Sequence, residues 1–402
     1  LKKKNFPGKR QMPSQILVVN AGSSSIKFAV FAGDPPLGRT VQGMISGIGS
    51  AAAFAAHNGQ GPLSGTLPPG LLNHEGALAW LFDWLDAGNH ARYLLGAGHR
   101  VVHGGEHHDA PVIVDAQNIT ELDALAPLAP LHQPHNLAAI KALRKLRPEL
   151  AQVACFDTAF HRTQPAVAQA LALPRAITAN GLRRYGFHGL SYEHIANALP
   201  QALGPRAEGR VIVAHLGNGA SLCAMRNRRS IATTMGFSTL DGLVMGTRCG
   251  AIDPGVLFYL MHERKMTSAA VEDLLYRQSG LLGVSGISND MRTLLGSDAP
   301  QAAEAVAQFV YRAALETGAL AAALEGMDAL VFTGGIGEHA VAVRTRICEK
   351  LGWLGIELDP AANARNARHV STAGSRVAVC VIPTDEEAVI AAHTFRLLHA
   401  RA

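Results

Sequence analysis

A chain of 402 residues, 48% hydrophobic and 17% charged, is long enough for two domains with separate cores and is not a disordered chain. Its five cysteines (Cys155, Cys223, Cys249, Cys348 and Cys380) are odd in number, widely spaced and lack a Cys-x-x-Cys pair. That argues against a disulfide framework or a cysteine-rich zinc site and predicts a reducing cytoplasm. The net charge of +5 owes much to Lys2, Lys3, Lys4, Lys9 and Arg10, which read as a solvated basic leader over residues 1–13 rather than a nucleic-acid arm. No run approaches the roughly 18 apolar residues of a membrane span, and the leader lacks the apolar core of a signal peptide.

Ile16 to Val19 predicts a buried strand, Asn20 to Ser25 a turn of small residues, and Ile26 to Phe31 a second strand pairing back on the first. Such a turn brings backbone N–H groups and hydroxyls close to whatever lies before it, which suits phosphate oxygens, and Lys27 adds a charge nearby. An ordinary Ser-rich hairpin is the other reading. Residues 43–70 read as loop with a strand or two, and Glu75 to Ala87 as a helix whose Trp80 and Trp84 belong to the core. His99 to Glu106 reads as a short strand with Arg100 at its start, running into a Gly-Gly turn. Arg100 needs an anion, which is either a ligand or a structural carboxylate. The glycines break the helix that a zinc site built on His99, His103, His107 and His108 would need.

Ile119 to Leu131 and Asn136 to Leu146 read as helices, and Val153 to Phe156 as a strand delivering Asp157. That carboxylate either meets a ligand at the strand end or caps the next helix. Arg183 to Gly189 combines cations, aromatics and glycines ahead of a helix over Tyr192 to Leu199.

Val211 to Arg226 then repeats the opening pattern of strand, glycine-rich turn and strand. It aligns without a gap on Ile16 to Phe31, with Asn20 against His215 and Gly22 against Gly217, 195 positions on (211 minus 16). The repetition predicts two related domains, each offering a phosphate-gripping hairpin to a shared cleft, and hence a phosphotransferase.

Met235 to Gly255 is a long loop with five glycines and a single arginine, Arg248, and long ordered loops are usually functional. Helices follow at Val256 to Met261, Ala269 to Gln278 and Gln301 to Leu324, with a loop at Ser285 to Arg292. Ala329 to Phe332 reads as a strand running through a glycine turn, Thr333 to Glu338, into a helix. It has neither a dinucleotide fingerprint nor a P-loop ending, and its flat backbone suits an adenine or ribose. Val377 to Ile382 reads as a strand and Ala388 to Leu398 as the closing helix. Between them Asp385, Glu386 and Glu387 are either dipole partners or the holders of a magnesium ion.

Taken in order, NAGSSSIKF, HRVVHGGE, FDTAFH, RYGFHG, HLGNGAS, MGTRCGAIDPG, FTGGIGE and PTDEE closely resemble the acetate kinase family, over nearly the whole chain. The resemblance implies an α/β protein of two duplicated actin-like ATPase (ribonuclease H-like) domains with a nucleotide cleft between them. Their expected bounds are 14–157 plus 388–402 for an acyl-substrate domain and 158–387 for a nucleotide domain. It implies ATP:acetate phosphoryl transfer giving acetyl phosphate and ADP, with Mg²⁺ or Mn²⁺, in a cytoplasmic homodimer with no nucleic-acid or membrane partner.

Residue by residue, the resemblance implies that Asn20 and Glu386 bind or orient the metal and that Lys27 meets the nucleotide phosphates. Arg100 holds the acetate carboxylate, with Val102, Leu131 and Phe187 around its methyl and His132 alongside. His215, Leu216, Gly217, Asn218 and Gly219 cradle the ATP phosphates. Asp290, Met291 and Arg292, with Gly335, Ile336, Gly337, Glu338 and His339, hold adenosine. Asp157, His188 and Arg248 act at the transferring phosphoryl group. The family labels Asp157 a proton donor, but a bare carboxylate repels a phosphoryl group, so it is expected to orient Arg248 or the metal water.

Four positions depart from the family pattern: Thr239 for proline in the acyl pocket, Gln133 and His339 for asparagines, and Ala251 for a more polar residue. Thr239 leaves propionate open as the acyl substrate. Butyrate is disfavoured by Ala21 and Ser24, where butyrate kinases carry Pro and Thr. An actin- or chaperone-like binding ATPase is the alternative of another class, and a zinc hydrolase a further one.

Overall fold

The computed structural model describes residues 14–71 and 73–400, so the basic leader expected over residues 1–13 lies outside the described residues. The chain divides into two units. The first holds the residues up to 102, residues 110–155 and those from 387 on; the second holds residues 103–109 and 156–386. The expected bounds were 14–157 with 388–402, and 158–387. The segment 103–109 thus clusters with the second unit, by way of the turn that follows Val102.

The first unit is built on a sheet of strands β1 (Gln15–Ala21), β2 (Ile26–Ala32), β3 (Gly38–Ser46), β4 (Ala53–Asn58), β5 (Gly61–Leu63), β6 (Leu94–Val101), β7 (Val112–Ile113) and β8 (Gln152–Phe156). Their order is β5-β4-β3-β2-β1-β6-β8-β7. The stretch 43–70, read as loop with a strand or two, contributes β4, β5 and the end of β3.

Ile16 to Val19 is apolar throughout because both faces of β1 are covered. Leu17 and Val19 join Phe28, Val30, Leu78 and Leu81 in the core under the helices His74–Ala87 and Gln133–Leu146. Trp80 and Trp84 pack on that core, meeting Phe54 edge-on at 4.8 and 4.9 Å. Their indole N–H groups donate to the carbonyls of Thr66 and Ser64. On β6, Gly98 lets the closing helix Glu386–His399 approach, since a Cβ there would lie 2.5 Å from Ile390 Cγ2.

Two expectations here are corrected. The helix expected over Ile119 to Leu131 runs instead over Ala116–Ala124 and gives way to a 3₁₀ turn, Ala126–Leu128. Pro127 has no N–H to continue the ladder and its ring crowds the preceding turn. Arg100, expected at the start of its strand, is the last residue but one of β6.

The second unit carries β9 (Arg210–Leu216), β10 (Ala220–Arg226), β11 (Arg229–Thr233), β12 (Ala329–Thr333) and β13 (Ala378–Val381), in the order β11-β10-β9-β12-β13. Helix Gly189–Leu203 covers one face, where Tyr192, Ile195 and Leu199 meet Val211, Val213 and Val331. The long helix Pro300–Leu324 packs against β9, β10 and β11. The glycine turn expected after Phe332 is absent, because the helix Gly334–His339 begins at the strand's end.

Both sheets follow one plan: a three-stranded antiparallel meander whose first strand pairs in parallel with a later one. The repeat is not gapless, however. Asn20 stands opposite Lys27, whereas His215 stands opposite Ser221. Residues 22–25 form the first turn, closed by Gly22 N–H to the Ser25 carbonyl, but 217–219 suffice for the second, closed by Gly217 N–H to the Gly219 carbonyl. Lys27 matches Leu222 in sequence and Ser221 in register. Among the described residues no helix is long and apolar enough to cross a membrane.

Candidate active site

In the first unit the expected residues gather at the ends of β1 and β6. Asn20 is half-buried opposite the exposed Lys27, while Arg100 is half-buried and Val102 buried. A residue that the motifs did not single out ties these ends together. Asn136, buried in the helix Gln133–Leu146, donates from Nδ2 to the Ala21 carbonyl (2.7 Å) and accepts the Val102 N–H at Oδ1 (3.0 Å). One amide thus satisfies a donor and an acceptor that burial would otherwise leave costly. Leu131 and His132 precede the same helix, both half-buried, and Gln133 turns inward to donate to the Leu122 carbonyl.

In the second unit His188 begins the helix Gly189–Leu203 in left-handed backbone, with φ 60°. Its neighbour Phe187 is buried, and His161 Nε2 donates to the Phe187 carbonyl at 2.8 Å. Burial holds His161 neutral, lowering its pKa to about 4. Asp157 follows β8, is buried, and accepts the Gly189 N–H at its own carbonyl. The 3₁₀ turn that follows starts from Thr158, whose side chain makes no cap.

His188 and His215 stack, with ring centroids 4.4 Å apart. Arg248 donates from Nη1 to the Thr239 carbonyl at 2.7 Å. Over Gly219 these groups converge: a Cβ there would sit 2.9 Å from Arg248 Nη2 and 3.3 Å from His188 Nε2. Any side chain at 219 would occupy the space in front of the arginine and the histidine. The Asn218 and Gly219 amides make no hydrogen bond to the described residues, so the turn keeps two donors open to an anion.

Beside this hairpin lies a cavity of about 510 Å³. Its walls include the expected Gly217, Asn218, Asp290, Met291, Arg292, Gly335, Ile336 and His339. They also include Asn289, Leu295 and Ala340, which carry no sequence signal of their own. Asp290 caps the short helix after it, accepting from Thr293 N–H, and that bond with the Thr293 hydroxyl and Arg292 holds its carboxyl below the usual range. Gly337 and Glu338 do not line the cavity. Glu338 accepts from the amides of Gly334 (2.9 Å) and Thr384 (3.2 Å), which joins the ends of two neighbouring strands.

Glu386 opens the closing helix. Asp385, Glu338 and Glu386 all bear on His194, whose pKa burial nonetheless lowers. Of the four histidines in the zinc reading, His107 is exposed while His99, His103 and His108 are buried. Burial lowers both His99 and His103 to about 4, and His103 meets the Tyr185 ring edge-on at 4.4 Å. Among the described residues no group of three or more His, Cys, Asp or Glu could hold a metal.

Two sheets on one plan, each headed by a hairpin of small residues, define the duplicated actin-like ATPase fold. The comparison with sequence families narrows this: the acetokinase family model matches residues 15–392, and the chain belongs to that family. It is 56% identical over 393 residues to an acetate kinase of Rhodopseudomonas palustris (strain TIE-1), covering 96% of this chain and 99% of that one. Among solved structures, a propionate kinase from Francisella tularensis superposes with a TM-score of 0.90 at 35% identity, covering 95% of this chain and 99% of that one. The Porphyromonas gingivalis acetate kinase follows at 0.86 and 35%, covering 96% and 100%.

Proposed function

We propose that this chain catalyses reversible phosphoryl transfer between ATP and acetate, giving ADP and acetyl phosphate. It is a phosphotransferase with a carboxyl group as acceptor. The observation that carries this reading is the convergence of Arg248 and His188 over the bare backbone of Gly219, beside a nucleotide-sized cavity, in a chain of the acetokinase family. Family membership sets aside the binding-ATPase and zinc-hydrolase alternatives.

Acetate is a nucleophile at neutral pH, so the work is positioning and charge neutralisation rather than base catalysis. Arg100 holds its carboxylate, and Val102, Leu131, His132 and Phe187 are assigned to the acyl group. Adenosine occupies the cavity against Asp290 to Arg292 and Gly335 to His339. The phosphates meet the His215 to Gly219 hairpin, and Lys27 is assigned to them as well. Arg248 and His188 stabilise the equatorial oxygens as charge develops. Asp157 is assigned to orient these groups, since a carboxylate facing the phosphoryl group would repel it. Asn20 and Glu386 are oxygen donors of the hard kind that suits Mg²⁺ or Mn²⁺. Such an ion, when bound, neutralises phosphate charge.

Propionate is the second reading, favoured by Thr239 and by the likeness to a propionate kinase. Initial rates with Mg-ATP and acetate, propionate or butyrate, trapped as hydroxamates, test both. Acetate is expected to give the highest kcat/KM. Propionate in front would transfer the assignment to that acid, and no acyl phosphate from any of them would end it.

A homodimer in the cytoplasm completes the proposal. The free thiols support the location. The helix Pro254–His262 supports the dimer, for it has no buried residue although Phe258 and Tyr259 are 57% and 51% exposed. Light scattering is expected to give twice the chain mass, and the double substitution Phe258→Glu with Tyr259→Glu to halve it. A monomeric wild-type protein would remove the dimer.

A further inference from the structure

The two stacked histidines are held by different hydroxyl pairs, and the direction of each hydrogen bond can be worked out. Tyr192 is fully buried, and its hydroxyl meets Ser221 Oγ at 2.5 Å. Burial, with Cys223 nearby, pushes the phenol well above its ordinary range, so it carries its proton at neutral pH. A buried O–H left without an acceptor is costly, so Tyr192 donates to Ser221. Ser221 is itself buried, and its other partner is His188 Nδ1 at 2.8 Å. Its own proton therefore goes to that nitrogen.

Around His215 the order is reversed. Ser191 Oγ donates to Thr384 Oγ1 at 2.8 Å, so its 2.8 Å contact with His215 Nδ1 is made by a proton on the ring. The rings lie 4.4 Å apart and 24° from parallel, a spacing at which two positive charges would repel strongly.

We infer that Tyr192 and Ser221 hold His188 as a neutral ring with its proton on Nε2, over Gly219, while Ser191 and Thr384 hold His215 with its proton on Nδ1. Nδ1 thus has opposite roles in the two stacked rings, accepting on His188 and donating on His215, and His188 turns its Nε2–H toward Gly219. These four hydroxyl residues are positioning residues. The tautomers stand by themselves; their catalytic meaning rests on the reading that His188 meets the phosphoryl group. On that reading His188 is a preorganised neutral donor, which needs neither to gain nor to lose a proton as charge develops.

The test is a two-bond ¹H–¹⁵N spectrum of the full chain labelled at histidine, near neutral pH, with His188→Gln and His215→Gln used to assign the rings. His188 is expected to show a pyrrole-type Nε2 and a pyridine-type Nδ1, and His215 a protonated Nδ1. In Ser221→Ala, His188 should move to a tautomer mixture and kcat should fall by about tenfold or more, with nucleotide KM little changed, as expected for a catalytic histidine in the wrong tautomer. In Tyr192→Phe, where Ser221 no longer has to give its proton to the ring, His188 should move part of the way toward the Nδ1–H tautomer, and an unchanged pattern would remove Tyr192 from the set of positioning residues. A wild-type His188 protonated at Nδ1, or an unchanged spectrum in Ser221→Ala, overturns the inference. The wild-type spectrum decides even if the variant does not fold. Should the tautomers be as stated and the Ser221→Ala kcat stay at the wild-type value, the ring assignment stands and the phosphoryl reading of His188 fails.

Discussion

Arg248→Ala is expected to lower kcat for acetyl phosphate formation by about 10³-fold, with the protein still folded. The loss corresponds to about 4 kcal/mol of transition-state stabilisation. The size of the effect follows from how the side chain is held. Nη1 is bound to the Thr239 carbonyl, so the guanidinium does not have to be ordered at the moment of reaction. Nη2 projects over Gly219, where no side chain intervenes, next to His188 Nε2. A guanidinium keeps its charge at any working pH and can bond a carbonyl on one arm and a phosphoryl oxygen on another. Arg248→Lys keeps the charge but cannot reach both partners from one ammonium, so it should recover no more than about a tenth of the lost rate. Stability should change little, because Arg248 is only half-buried and the Thr239 carbonyl can turn to water. Initial hydroxamate rates, read beside a thermal melt, decide the matter. A kcat within tenfold of wild type with a raised KM for ATP would make Arg248 a ground-state binding group instead.

Legibility differed between the fold and the site for a physical reason. Strand and helix signals are local. The apolar run of Ile16 to Val19 and the helical pattern of Gln301 to Leu324 each appear within one contiguous stretch of sequence. The duplicated hairpin was legible too, but not its one-residue difference in turn length. Register is fixed by which carbonyl closes the turn, Ser25 or Gly219, and that choice leaves no mark on a gapless alignment. Pro127 could have warned of the helix break at Ala124, but the apolar pattern running on to Leu131 masked it. Charged and glycine-flanked site residues drew attention by type. Asn136, Ser221 and Arg344 did not, because their roles consist of partners distant in sequence. Asn136 and Ala21 are 115 positions apart. The chemistry assigned to Arg100 and Glu386 came from resemblance, since spacing alone left each of them a structural alternative.

Arg344→Met is expected to destabilise the protein by about 3 kcal/mol and to raise the KM for ATP by about tenfold, leaving that for acetate unchanged. Arg344 is fully buried and has no ion-pair partner among the described residues. It is held by oxygen dipoles instead. Nε donates to Asn363 Oδ1 (2.7 Å), Nη1 to the carbonyls of Gly337 and Glu338 (both 2.9 Å), and Nη2 to the Asn363 carbonyl (3.1 Å) and Asn366 Oδ1 (2.6 Å). Burial lowers its pKa, and the adjacent Cys348 thiol, pushed up to about 12, supplies no compensating charge at neutral pH. Methionine removes the desolvation cost of the cation but leaves these acceptors facing an apolar side chain. Two of them, the Gly337 carbonyl and Asn363 Oδ1, belong to buried residues and lose their bond, at about 1–3 kcal/mol each, while the Asn363 carbonyl keeps the Asn366 N–H. The unpaired acceptors outweigh the relief of the charge, and the net loss follows. The functional effect is directional. The Gly337 and Glu338 carbonyls belong to the helix Gly334–His339, whose Gly335, Ile336 and His339 line the 510 Å³ cavity, so that wall loses its anchor while the residues proposed for acetate keep theirs. Thermal unfolding with and without ADP, beside separate KM measurements for the two substrates, tests this. Equal shifts in both KM values would mean a general loosening, and a wild-type melting temperature would mean that the dipoles around Arg344 find other partners.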